Sequence, residues 1–220
     1  MRSRPALMLI AVAAMLLCGC NYVVLGDSIG TQGATTYATV FGDTIHAQPA
    51  VDAVAGEQLP AFEDGILRNQ GWRKDIAGAN VITLSIGSND LGLLLIRYSL
   101  GGCNTACVDA ALTGFKQQYS RTLDELRAMT KAHIIVLDIY DPSPALVDPY
   151  VRQQLAGVNA FIHQSVCAHG NMAVASVNLA FNGADGTADP ASQGYLAPDG
   201  THPSALGATV IADAVAAAHC

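Results

Sequence analysis

The chain of 220 residues carries a formal net charge of −7, and 51% of its residues are hydrophobic against 13% charged. This length fits one globular domain with a sizeable core, and the apolar content excludes a disordered chain. The acidic balance argues against a nucleic-acid partner, because no basic surface would neutralise the phosphates.

The first twenty residues have the composition of an export signal. Arg2 and Arg4 form a positive start, and the apolar stretch over residues 6–17 follows. This stretch is too short to span a bilayer comfortably. It also lacks the recurring polar residues that would give a buried first helix a solvent-facing side.

The signal closes on Leu-Cys-Gly-Cys, which resembles the bacterial lipoprotein signal and implies lipidation of Cys20. Ordinary cleavage and release is the alternative, because a cysteine at position 18 is unusual for that signal. We predict a signal peptide over residues 1–20 and a domain over residues 21–220. The protein is then exported, either secreted or held in the cell envelope as a lipoprotein.

Apolar runs and helical patterns alternate along the rest of the chain. Strands are predicted over residues 22–25, within 44–54, and over 81–86, 133–139 and 173–179; helices are predicted over residues 36–41, 59–69, 108–131, 149–168 and 203–218. This alternation predicts an α/β fold with a parallel sheet covered on both faces. Five strands suit the flavodoxin-like order 2-1-3-4-5, whose ligand crevice opens at the carboxyl ends of strands one and three.

Ser28 lies in the Gly-Asp-Ser-Ile-Gly segment directly after the first strand. A serine at such a strand-to-helix turn exposes its hydroxyl beside backbone amides that can stabilise an oxyanion. A capping serine in a Gly-rich turn is the structural alternative. A phosphate loop is disfavoured, because Asp27 would repel phosphate and the Gly-x-Gly-x-x-Gly spacing is absent. The segment also matches the Gly-x-Ser-x-Gly elbow of α/β-hydrolases, but that elbow comes after several strands.

Two further segments follow predicted strands. Asn89, in Gly-Ser-Asn-Asp, comes directly after the third strand, where its amide can donate to an oxyanion; a strand-closing Asn-Asp turn is the alternative. The predicted order places it beside Ser28. Gly56 follows the second strand, and its amide is another candidate donor. The apolar run over residues 93–96 either lines an acyl pocket or packs as a helix face.

Four cysteines remain after the signal, an even number that an oxidising compartment would allow to pair. Three connectivities are open, and the simplest joins Cys103 to Cys107 and Cys167 to Cys220. A zinc site is the other interpretation, and it lacks a second paired motif nearby.

His202 lies three residues after Asp199, just before the last predicted helix. A nucleophilic serine needs a base, and the base needs an orienting carboxylate, so this pair can supply both. The same segment reads as a Pro-Asp-Gly turn with Pro203 at the first helical position. Asp138 and Asp141, at the end of the fourth strand, are the competing candidates for the orienting acid.

The four segments in this order resemble the motif blocks of the SGNH (GDSL-type) hydrolase family, over nearly the whole predicted domain. Residues 180–204 are similar to secreted bacterial members in particular. The resemblance implies a three-layer αβα fold and a catalytic triad of Ser28, Asp199 and His202. It also implies an oxyanion hole from the Ser28 amide, the Gly56 amide and the Asn89 side chain, although the residues flanking Gly56 are less typical of the family.

We therefore expect a serine esterase or lipase that cleaves small-molecule or polymer-borne carboxylic esters through an acyl-enzyme on Ser28. This chemistry requires no metal and no organic cofactor. An acyltransferase or a carbohydrate O-deacetylase would use the same residues. A non-catalytic binding module is the alternative from another class, and the intact set of Ser28, Asn89, Asp199 and His202 argues against it. Membrane contact is expected only through a lipid on Cys20.

Overall fold

Five parallel strands form the central sheet of the computed structural model, which describes residues 19–144 and 148–220. The strands are β1 (Tyr22–Gly26), β2 (Pro49–Ala53), β3 (Val81–Ser85), β4 (His133–Leu137) and β5 (Met172–Ala175). Their order in the sheet is β2-β1-β3-β4-β5, which confirms the predicted fold class and topology. The order reverses between β1 and β3, so a crevice opens where these two strands end.

The inner strands are buried on both faces, as a parallel sheet between two helical layers requires. Every residue of β1 and β3 is buried, whereas β2 forms one edge of the sheet and is partly exposed. In the middle of β1, Val24 pairs with Val51 on one side and with Thr83 on the other. The continuous apolar runs seen in the sequence therefore correspond to strands with no solvent-facing side.

Helices cover both faces of the sheet and give the three-layer arrangement. They are α1 (Tyr37–Thr44), α2 (Leu59–Arg68), α3 (Gln70–Gly78), α4 (Ser88–Ser99), α5 (Thr105–Met129), α6 (Pro149–Cys167), α7 (Val177–Asn182) and α8 (Ala205–Ala216). One core lies between the sheet and α2 to α6, and it includes Phe62, Leu123 and Ile162. The other lies between the sheet and α1, α7 and α8, with Phe181 and Ile211 in it.

Three helices were not predicted, and side-chain capping accounts for two of them. The side-chain oxygen Oδ1 of Asn69 accepts hydrogen bonds from the amides of Gly71 and Trp72, so a new helix begins where the previous one ends. The prediction of a fifth strand over residues 173–179 is wrong beyond Ala175. The amide of Asn178 donates to the buried Asp138 carboxylate at 2.7 Å, and the chain turns into α7 there. The third missed helix, α4, contains the apolar run 93–96.

The last helix begins at Ala205 and not at Pro203. The Ser204 hydroxyl caps it by accepting from the amide of Gly207, while Pro203 pairs with Leu196 in an antiparallel bridge. That bridge closes the loop that carries Asp199 and His202. Because Pro203 lies outside the helix, it is available for this bridge.

The structure contains the disulfides Cys103–Cys107 and Cys167–Cys220, the simplest of the predicted pairings. Two disulfides indicate a protein exported to an oxidising environment. Cys20 is free and half-buried just before β1, and residues 1–18 of the predicted signal lie outside the described residues. Within residues 19–144 and 148–220, no helix combines the length and the apolar character needed to cross a membrane.

The two disulfides should differ in their contribution to stability. They close loops with sequence separations of 53 and 4 residues. The chain-entropy model predicts that the Cys167→Ser/Cys220→Ser variant loses about 4 kcal/mol of unfolding free energy and the Cys103→Ser/Cys107→Ser variant about 2 kcal/mol. Urea denaturation of both variants beside the wild type measures the difference. A larger loss from opening the short loop would contradict the model.

Candidate active site

The end of β1 approaches β3 so closely that only glycine fits at position 26. Gly26 has φ +115°, and a Cβ atom there would lie 1.8 Å from the carbonyl oxygen of Ser85. The chain leaves the strand through Asp27, whose amide donates to that same oxygen at 2.8 Å. Ser28 then begins a short 3-10 turn, Ser28–Gly30. The first amides of such a turn have no partner inside it, so the Ser28 amide can donate outward.

Asp27 is 1% exposed, and its carboxylate ties three backbone segments together. Oδ1 accepts from the amide of Ile29 and the hydroxyl of Ser85, each at 3.1 Å, and Oδ2 accepts from the hydroxyl of Ser88 at 2.6 Å. Burial raises the pKa of this carboxyl, and these three hydrogen bonds partly offset the effect. The carboxyl therefore joins the turn of Ser28, the end of β3 and the start of α4.

The Asp199 carboxylate shapes its own loop and orients the neighbouring imidazole. Oδ1 accepts from the amides of Thr201 and His202, both at 2.9 Å, which closes a tight turn around Gly200 at φ +69°. Oδ2 lies 2.7 Å from Nδ1 of His202. One side chain thus fixes the backbone of the turn and the ring that the turn carries, as the spacing of three residues suggested.

The structure brings Ser28, His202 and Asp199 into one chain of hydrogen bonds. Nε2 of His202 lies 2.9 Å from Oγ of Ser28, across 174 positions of sequence. Because an ionised carboxylate can only accept, the proton on His202 belongs at Nδ1, which leaves Nε2 to accept from the serine hydroxyl. This is the arrangement that a base-activated nucleophile requires.

The competing acids contact other groups. Asp138 is buried, with one carboxylate oxygen 2.9 Å from Nε2 of His163 and the other accepting from the Asn178 amide. Asp141 accepts from the amide of Ser143. Asp199 is the carboxylate in contact with His202.

Asn89 lies at the start of α4, where its Nδ2 donates to the carbonyl of Glu57 at 2.8 Å. The next side chain, Asp90, accepts from the amide of Leu59, so α4 holds both the loop after β2 and the start of α2. Gly56 is in that loop, exposed at φ +77°. The structure therefore brings the loop to Asn89, but Gly56 is not among the described residues that line the cavity at Ser28.

A cavity of about 360 Å³ opens at Ser28. His202 and Asn89 form part of its wall, and apolar side chains of α4, α6 and α7 form much of the rest. Leu93, Leu95 and Ile96 line this cavity, whereas Leu94 packs against the core. The nucleophile candidate is thus at the edge of an apolar space.

Two residues of the site were not predicted. Asp27 stands in the motif itself, but its partners Ser85 and Ser88 meet it only through the pairing of β1 with β3. Tyr140 donates its hydroxyl to the carbonyl of Thr201, and its ring packs on Phe181 with centroids 4.6 Å apart. It supports the loop of His202 from 61 residues away, which no local signal reveals.

Across the described part of the chain, no group of three potential ligand side chains converges to hold a metal ion.

Comparisons with known proteins identify a family and a shared fold. The family model described as GDSL-like Lipase/Acylhydrolase family matches residues 24–210. A search of curated protein sequences finds no match.

Solved structures of three enzymes share the fold at low sequence identity. A lipase from a goat rumen metagenome is 21% identical with a TM-score of 0.73, over 89% of this chain and 95% of that one. An acetyl xylan esterase from Geobacillus stearothermophilus is 19% identical with a TM-score of 0.67, over 89% and 93%. Phospholipase A1 from Streptomyces albidoflavus is 17% identical with a TM-score of 0.61, over 92% and 100%.

The Asp199 carboxyl should titrate far below its ordinary range. Hydrogen bonds from the amides of His202 and Thr201, with a smaller part from the imidazole, lower its pKa to about 2. Because the folded-state pKa is depressed, the carboxylate favours the folded state above the ordinary pKa of about 3.9, and this contribution is lost as the pH falls through about 2. Carboxyl ¹³C shifts between pH 1.5 and 8 would follow the titration.

His202→Ala is the matched control for that titration, because it removes the ring and keeps both backbone amides. The Asp199 pKa should then rise only in part and stay below the ordinary value of about 3.9. A wild-type Asp199 that titrates near 3.9 would contradict the hydrogen-bonded turn.

Proposed function

We propose that this chain, which belongs to the GDSL-like lipase/acylhydrolase family, cleaves carboxylic esters through a covalent acyl-enzyme on Ser28. The observation that carries the proposal is the hydrogen-bonded series Ser28–His202–Asp199 at the edge of an apolar cavity. The similar structures described above, a lipase, an acetyl xylan esterase and a phospholipase A1, are named for ester substrates.

Acylation begins when Nε2 of His202 takes the proton of the Ser28 hydroxyl and Oγ attacks the ester carbonyl carbon. The carbonyl π electrons move to oxygen and give a tetrahedral oxyanion. When the intermediate collapses, the bond to the alcohol breaks, and the departing oxygen takes the proton from Nε2. Asp199 stays ionised and stabilises the imidazolium throughout; its lowered pKa supports this role.

The oxyanion is stabilised by donors that are in place before the reaction. A primary amide has two N–H groups. One of those of Asn89 is held by the Glu57 carbonyl, which fixes the side chain and leaves the other to donate to the oxyanion. The Ser28 amide is the second donor in the proposal, and the Gly56 amide, in the loop held by Asn89, is the third.

Deacylation repeats the same proton transfers with water in place of the serine. Nε2 of His202 takes a proton from the water, the hydroxide attacks the acyl carbon, and Oγ of Ser28 leaves with the proton. The products are the carboxylic acid and the free enzyme. An alcohol in place of the water would give acyl transfer, so product analysis with a competing alcohol separates hydrolase from acyltransferase.

Export is part of the proposal, followed by release or by anchoring through lipidated Cys20. Cys20 precedes the amino end of β1, and Ser28 follows its carboxyl end. Five residues of strand at about 3.3 Å each place the two ends roughly 15 Å apart. The crevice of an anchored protein would therefore face away from the membrane, toward soluble or wall-borne esters.

Ser28→Ala and His202→Ala should each lower kcat for p-nitrophenyl butyrate by a factor of about 10⁴ or more. The first substitution removes the nucleophile, and the second removes the base that takes its proton. A fluorophosphonate probe should label the wild type at Ser28 and leave Ser28→Ala unlabelled. Ser192→Ala, which alters an exposed serine in a loop, is the control and should keep full activity and labelling. Near-normal turnover by Ser28→Ala would refute the nucleophile.

Asn89→Ala should lower kcat by about 10²–10³ fold with little change in KM, because an oxyanion donor acts mainly on the transition state. Asn104→Ala is the control, since Asn104 caps α5 away from the crevice. Steady-state kinetics on one ester give both parameters. A raised KM with intact kcat would instead make Asn89 a ligand of the ground-state substrate.

A further inference from the structure

The proposed mechanism orients the ester in the cavity at Ser28. His202 protonates the departing alcohol, so the alcohol must leave on the side of His202, and the acyl group must extend on another side. Asn89, the proposed oxyanion donor, is in the first turn of α4, and the wall continues from it along that helix. The wall along α4 is then the surface that remains for the acyl group.

The wall in that direction is apolar. It is formed by side chains from three helices, Leu91, Leu95 and Ile96 of α4, Val151 and Leu155 of α6, and Val177 of α7. Leu91, Val151 and Val177 are buried, and Ile96 is 57% exposed. A surface of this kind favours an aliphatic chain over a small polar group.

Several of the polar side chains in the wall form hydrogen bonds inside the protein. The hydroxyls of Ser85 and Ser88 donate to Asp27, and the Asp138 carboxylate is occupied by His163 and the Asn178 amide. The part of the wall formed by α4 and α6 is apolar and offers a sugar few hydrogen-bonding partners.

The dimensions of the cavity limit the length of the chain. From Asn89 to Ile96 the helix rises about 10 Å at about 1.5 Å per residue, and a zigzag alkyl chain with bonds of about 1.5 Å covers that distance in about eight bonds. At about 30 Å³ for each water-sized group, a volume of about 360 Å³ holds about a dozen groups. That number accommodates an eight-carbon acyl chain together with the ester and part of the alcohol.

We infer that the preferred substrates are esters of medium-chain fatty acids of about eight carbons, bound with the acyl chain between α4 and α6. The inference rests on the proposed ester hydrolysis at Ser28 and adds the identity of the acyl group. It separates this chain from acetyl esterases within the same fold.

The test varies the acyl chain of p-nitrophenyl esters from acetate to dodecanoate at concentrations below aggregation. We expect kcat/KM to rise about two- to fourfold per added methylene, to level off near octanoate, and to exceed the acetate value at least about fiftyfold there. A second series, acetate esters of alcohols from ethanol to octanol, should show a much smaller increase, because the alcohol leaves on the side of His202, away from the apolar wall of α4 and α6.

Two variants with matched controls locate the chain. A Cβ atom at Gly92, which lines the cavity, meets no atom within 4 Å, so Gly92→Phe adds bulk without a clash at Cβ. It should lower the octanoate-to-acetate ratio of kcat/KM about tenfold or more. Gly114→Phe, on α5 outside the cavity and equally free of neighbours, should leave that ratio unchanged. Leu155→Gln should also lower the ratio, and Leu100→Gln, 81% exposed, should not.

The outcomes separate this inference from the proposed function. A kcat/KM that is flat or falls from acetate upward, with Ser28 still required, overturns the medium-chain assignment and leaves ester hydrolysis standing. The assignment is also wrong if the alcohol series shows the steeper rise, or if the control variants change the ratio as much as Gly92→Phe and Leu155→Gln do. No cleavage of any ester and no fluorophosphonate labelling of Ser28 would overturn both.

Discussion

The buried carboxylate of Asp27 is the interaction on which the arrangement of the crevice depends. Removing a carboxylate from water costs on the order of several kcal/mol unless hydrogen bonds replace the lost solvation. Ile29, Ser85 and Ser88 supply those bonds, and each belongs to a different segment. The turn that contains Ser28 and the helix that contains Asn89 are therefore both hydrogen-bonded to the Asp27 carboxylate. Such convergence is possible only because β1 and β3 are adjacent and parallel and end at the same edge.

The loop that carries His202, in contrast, is held mainly by hydrogen bonds within the loop itself. The Asp199 carboxylate closes the turn through two backbone amides and orients the imidazole of His202 with its second oxygen. Tyr140 and the bridge between Leu196 and Pro203 then fix where that loop lies. The nucleophile depends on the sheet, whereas the geometry of the acid–base pair is mostly local. The 2.9 Å contact between Ser28 and His202 is where the two parts meet.

Most of the fold could be predicted from the sequence, because parallel strands are buried on both faces and appear as continuous apolar runs. The errors fall where tertiary contacts override such runs. The alternation through residues 173–179 is typical of a strand, yet the chain enters α7 because the Asn178 amide binds Asp138, 40 residues away. Two other differences are local, because capping by Asn69 and Ser204 sets where two helices begin. The strand order expected for five parallel strands in a flavodoxin-like sheet is the observed one.

By itself the sequence determined the class of the fold, the number of its strands, and which residues carry the candidate chemistry. These properties depend on local patterns, such as the three-residue spacing of Asp199 and His202 or the position of Ser28 after the first strand. Only the tertiary structure decided what binds Asp27, the contact of His202 with Ser28, and the shape of the apolar cavity along α4. Each of these depends on side chains that are distant in sequence and meet only once the sheet and its helices have packed.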